Sequence, residues 1–122
     1  MWYIFPQIIG LGYSVMSEFY GIKDLNEAKE YLKNEILGKR LIEISNELLE
    51  LDTNNPIQIF GEIDSMKLKS CMTLFDYISE DENVFNKVIK KFYNGGKDIK
   101  TIGICNRIMQ NNIAVKDYTK TV

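Results

Sequence analysis

The chain has 122 residues, 45% hydrophobic and 26% charged, which suits one domain that buries its own core without disulfides or metal. Its formal net charge is −2 and its pI about 5.2, so no bulk basic excess exists to hold nucleic acid or an anionic membrane. It has no histidine and two cysteines, which excludes the usual Ser-His-Asp and Cys-His nucleophile systems, His-dependent zinc sites and a four-Cys zinc site.

From the N-terminus, Trp2 to Gly12 mixes aromatics, β-branched residues, Pro6 and two glycines. This composition predicts an irregular, buried apolar segment. It lacks the basic flank and small-residue cleavage site of a signal peptide and is too short to span a bilayer, so a cytoplasmic protein is expected. Residues Ser14 to Tyr20 are expected to form a short helix ended by Gly21. Asp24 with Glu27 has capping-box spacing before a helix whose inner face is Leu25, Ala28, Tyr31 and Leu32.

A break near Asn34 leads to the longest predicted helix, Glu35 to Leu51. Its inner stripe reads Leu37, Leu41, Ile44, Leu48 and Leu51, with Glu43, Glu47 and Glu50 outside. Gly38 inside this helix costs about 1 kcal/mol against Ala, which points to close backbone packing. Residues 52–56 (DTNNP) read as a loop, and Pro56 to Phe60 as a helical turn broken by Gly61. Asp64 is then expected to cap a helix over Ser65 to Ile78, with Leu68, Cys71, Met72 and Phe75 inside.

Ser79 and Glu82 have capping-box spacing before an amphipathic helix carrying Val84, Phe85, Val88, Ile89 and Phe92. Gly95-Gly96 stops it. Asp98 is expected to cap a last helix to about Gln110 with Ile102, Cys105, Ile108 and Met109 inward, and residues 111–122 to fray. The expected fold is therefore all-α: one domain over 1–122, with five or six helices.

Several polar groups invite a functional reading. Asp64, Lys67 and Ser70 or Cys71 share a helix face, where a helix N-terminus beside lysines would take an anion; the same residues also read as a cap and solvated lysines. Arg40 would clamp a carboxylate or phosphate, or pair with Glu43 or Asp64. Trp2, Tyr3, Phe5, Tyr13 and Tyr20 line a pocket or fill the core. Gln7 either bonds the backbone of its loop or reads a ligand. Cys71 and Cys105 read as reduced core residues, with a disulfide or a reactive Cys71 near Lys67 and Lys69 as alternatives. Gly10-x-Gly12 and Gly95-Gly96-Lys97 lack the spacing of nucleotide-binding loops.

In order along the chain, WYIFPQIIGLGYSVMS from Trp2, Tyr20-Gly21-Ile22, Glu27-Ala28, Tyr31-Leu32, Leu37-Gly38 with Arg40-Leu41, IFGEIDSMKLKSCMTLF from Ile59, and Asp98 with Thr101 resemble one family. It is the bacterial domain-of-unknown-function 1810 family, sometimes mislabelled calpastatin. The resemblance implies a compact all-helical cytosolic domain with no established activity. It also implies about one further helix before Trp2, so this chain would expose an apolar groove or pair with itself through the apolar start. Cys71 stands where many members of the family carry Ser, which implies a small packed residue more than a catalytic thiol. A fainter, fold-level similarity to helical NADAR domains would give Arg40 and Lys67 pyrophosphate roles.

The combined expectation is that Trp2, Gln7, Tyr20, Arg40, Asp64 and Lys67 converge on a small anionic ligand, with a nucleotide or ADP-ribose relative as one class. The alternative is a protein-interaction or homodimerisation module. Catalysis stays open, and no cofactor is assigned.

Overall fold

The computed structural model describes residues 5–6, 21–80 and 82–120, and every regular element of more than one residue among them is a helix. The five are α1 (Leu25–Lys33), α2 (Leu37–Leu49), α3 (Pro56–Tyr77), α4 (Val84–Tyr93) and α5 (Ile99–Lys120). The expected helix over Ser14 to Tyr20 lies outside the described residues. The backbone of α5 runs on past Gln110 to Lys120.

Local chemistry sets most of the boundaries. Asp24 caps α1 by accepting from the Glu27 N–H at 2.8 Å, while the Glu27 carboxylate accepts from the N–H of Lys23 instead of that of the cap. Asn34 ends α1 with its own N–H, and its side-chain oxygen accepts from the N–H groups of Ile36 and Leu37, both at 2.9 Å. One residue thus closes one helix and opens the next. At the far end of α2, the Lys91 ammonium donates to the carbonyls of Leu49 and Leu51, where a cation meets the negative end of the helix dipole.

Two expected caps are corrected. Asn55 accepts from the N–H groups of Ile57 and Gln58 and Pro56 fits the first helical position, so α3 opens with a short segment ahead of Gly61. Gly61, at φ 81° and ψ 170°, kinks this helix, so Asp64 lies within its second part and caps nothing. Likewise α4 is capped by Asn83, which accepts from the Asn86 N–H at 2.8 Å; Glu82 is turned to φ 61°, and Ser79 is no cap.

The second half of α3 is the centre of the molecule. Cys71, Met72, Thr73, Leu74 and Phe75 are all buried in succession, so this helix is covered on every side. α4 and α5 pack along it and α1 touches it, while α2 lies against α1 and α4. Phe75 meets the rings of Tyr31 and Phe85 at 5.7 and 5.6 Å between centroids. At the other end of α3, buried Phe5 meets Phe60 edge-on. Pro6 is buried too.

The buried stripe of α2 is Gly38, Leu41, Ser45 and Leu48, with Ile44 partly covered. Leu37 and Leu51, expected inside, are 40% and 41% exposed. Ser45 replaces them because its hydroxyl returns to the Leu41 carbonyl at 2.7 Å and so buries without an unmet polar group. In α5 the inward residues are Thr101 and Cys105, with Ile104 and Ile108 packed against them; Met109 turns outward.

A polar cluster joins α3 to α5. Asp98 accepts from the Ser70 hydroxyl at 3.1 Å and from both the N–H and the hydroxyl of Thr101, and its own N–H donates to Thr73 Oγ1 at 2.9 Å. Replacing Asp98 with Ala removes a cap and a tie between helices. Urea unfolding of Asp98→Ala should show a loss of about 1–3 kcal/mol.

A Cβ added at Gly38 would lie 1.9 Å from the carbonyl oxygen of Leu32, a backbone atom that cannot swing aside. The Gly38→Ala variant should therefore lose about 1–3 kcal/mol despite its better helix propensity. Exposed Gly103 has nothing within 4 Å of the same position, so Gly103→Ala should gain about 0.5–1 kcal/mol in the same measurement.

Candidate functional site

Helical periodicity brings Leu37, Arg40, Leu41, Glu43, Ile44 and Glu47 of α2 toward Tyr31 of α1. Together they line an open cavity of about 290 Å³. Buried Leu41 and partly buried Ile44 form an apolar floor, while Arg40, Glu43 and Glu47 are exposed at the rim. Arg40 forms no ion pair or hydrogen bond among the described residues, so its expected pairing with Glu43 or Asp64 is not made. The Tyr31 hydroxyl keeps its proton above its ordinary value of 10.0, chiefly through burial and then through the neighbouring Cys71 thiol.

Of the six residues expected to converge, Trp2, Gln7 and Tyr20 lie outside the described residues, as does most of the apolar start. Asp64 and Lys67 lie one turn apart on α3 with 4.0 Å between Oδ1 and Nζ, the outer limit of an ion pair. Neither lines the cavity at Arg40. Asp64 stands three residues after the Gly61 kink, near the start of the second part of α3, where its carboxylate faces Lys67.

A second cavity, of about 460 Å³, opens between the end of α3, α4 and the loop before α5. Its base is Asp76, whose side chain is 9% exposed and accepts from Lys97 at 2.9 Å and Asn83 at 2.8 Å. Tyr77, Ser79, Glu82, Asn86 and Lys90 complete the wall. Two carboxylates and two ammonium groups balance here, and the buried carboxylate has its partners, so this cavity reads as a structural tie. The Asp76–Lys97 pair spans a turn and a whole helix in sequence, and no local pattern could have revealed it.

Both cysteines are free and buried. Burial pushes the Cys71 thiol well above its ordinary value of 9.0, and raises Cys105 to about 11. Lys69, expected as an activator of Cys71, instead lies 5.8 Å from the centre of the Tyr93 ring. Among the described residues no group of three His, Cys, Asp or Glu side chains could hold a metal ion, and no helix is long and apolar enough to cross a membrane.

A family model described as protein of unknown function (DUF1810) matches residues 1–105. Among solved structures, the chain is similar to the conserved hypothetical protein Rv1873 from Mycobacterium tuberculosis, at 37% identity and a TM-score of 0.82. The match covers 86% of this chain and 75% of that one. The search of curated proteins finds no match.

The buried thiols generate a prediction about alkali. Unfolded, each ionises near 9.0; folded, each holds its proton longer, Cys105 to about 11. The folded state therefore binds more protons above pH 9, so the thiol contribution is complete below that pH and is lost as pH rises through the folded values. Tyr31 and Tyr93, also raised, act in the same direction at higher pH. Urea midpoints should fall progressively on the alkaline side. A thiol-labelling reagent should modify neither cysteine in the native protein at neutral pH, and both once urea unfolds it.

Proposed function

The chain belongs to the DUF1810 family of proteins of unknown function, a membership that carries no activity with it, and we propose that it binds a small organic ligand bearing an anionic group at the α1–α2 cavity. The observation that carries this reading is Arg40. A guanidinium with five donors stands at the mouth of an apolar-floored cavity with no ion pair or hydrogen bond among the described residues, although two glutamates share its helix face. Apolar lining with few polar groups is the usual make-up of a small-molecule site.

The same geometry narrows the ligand class. At about 290 Å³ the cavity is at the small end of ligand sites, which favours a molecule nearer an amino acid than a dinucleotide. Glu43 and Glu47 would repel a pyrophosphate, so a single carboxylate or monoester suits the rim better than ADP-ribose does.

Thermal-shift titrations against small carboxylates, nucleoside monophosphates and ADP-ribose, at two protein concentrations, test this reading. A carboxylate at about a hundred times its Kd should add about 2.7 kcal/mol of stability. The Arg40→Ala variant should abolish that response while changing the unliganded protein by no more than about 0.5 kcal/mol, as befits an exposed residue. A ligand response that survives Arg40→Ala would defeat the proposal. So would no response at all, and a melting temperature that rises with protein concentration would then favour self-association.

A further inference from the structure

Resting on that reading, we propose that the α1–α2 cavity takes a zwitterion: one carboxylate, one protonated amine and a short apolar body between them. Arg40, Glu43 and Glu47 occupy positions i, i+3 and i+7 of one helix face. At about 1.5 Å of rise per residue, the backbone positions of Glu43 and Glu47 lie roughly 4.5 and 10 Å along the axis from that of Arg40. Neither forms an ion pair with it. The rim therefore presents a positive end and a negative end, with the apolar side chains of Leu37, Leu41 and Ile44 beside them.

A simple anion would satisfy Arg40 but place itself beside two carboxylates that form no ion pair among the described residues. A simple amine would answer the glutamates and meet the guanidinium. Only a molecule with both charges matches both ends, and its apolar body would lie on Leu41 and Ile44. The Tyr31 hydroxyl, at the α1 side of the same cavity, adds a neutral donor and acceptor.

Three probes of equal chain length separate the possibilities: ε-aminocaproate, caproate and hexylamine, titrated by calorimetry into the full chain and into Arg40→Gln and Glu47→Gln. The zwitterion should bind about tenfold tighter than either singly charged probe, the worth of one charge-assisted contact. Glu47→Gln should erase its advantage over caproate, and Arg40→Gln its advantage over hexylamine. Caproate binding as tightly as ε-aminocaproate, unaffected by Glu47→Gln, would overturn the zwitterion and leave the anion-binding reading standing. Failure of all three probes to bind would overturn the zwitterion, and the thermal-shift titrations with monophosphates would then decide the anion-binding reading.

Discussion

Everything in this molecule is arranged around the burial of one stretch of helix. Five successive residues, Cys71 to Phe75, have almost no contact with solvent, so the second half of α3 needs neighbours on all sides at once. An amphipathic helix can be satisfied by one partner; a helix covered all round cannot. α4 and α5 supply two flanks, and Tyr31 of α1 reaches Phe75 from a third direction. Thr73 is the polar member of the run. It is accommodated because its hydroxyl donates to the Lys69 carbonyl and accepts from the Asp98 N–H.

The polar side chains mostly hold that arrangement in register. Asp98 ties α5 to α3, Lys91 holds the end of α2, and the Tyr93 hydroxyl donates to the Ser65 carbonyl across the α3–α4 contact. The block KLKSCMTLF, which carries much of the family resemblance, therefore reads as architecture: Leu68, Cys71, Met72, Leu74 and Phe75 are core, and Ser70 and Thr73 are ties. Belonging to the family accounts for the fold and carries no activity with it; the proposed ligand site lies on the outward face of α2, where Arg40 forms no ion pair among the described residues.

Helix positions were largely legible in the residues. The capping role of Asp24, the break at Asn34, the stop at Gly61 and the start at Asp98 all appear where local patterns place them. Gly38 was also readable, since a glycine inside a helix needs a reason, and the Leu32 carbonyl is that reason. Two expected caps fail for one reason. A serine-to-glutamate spacing at Ser79 and an aspartate at Asp64 have the pattern of caps, but Asn83 caps α4 and the segment holding Asp64 starts at the Gly61 kink. Competing caps a few residues apart cannot be ranked from spacing alone. Of the candidate site, Arg40 was legible as an arginine beside an apolar stripe, whereas Asp64 and Lys67 were grouped with it on chemical type and lie elsewhere.

By itself, the sequence determined an all-helical chain, the order of its helices and the exclusion of histidine chemistry, because caps, breaks and periodicity act within about four residues. Tertiary structure decided which way each face turned. Ser45 is inside and Leu51 outside, Cys71 is fully buried, Asp76 finds Lys97, and Arg40 opens onto a cavity floored by Leu41 and Ile44. Each of those outcomes depends on what packs against a residue from a distant part of the chain. That neighbour exists only once the helices have closed around α3.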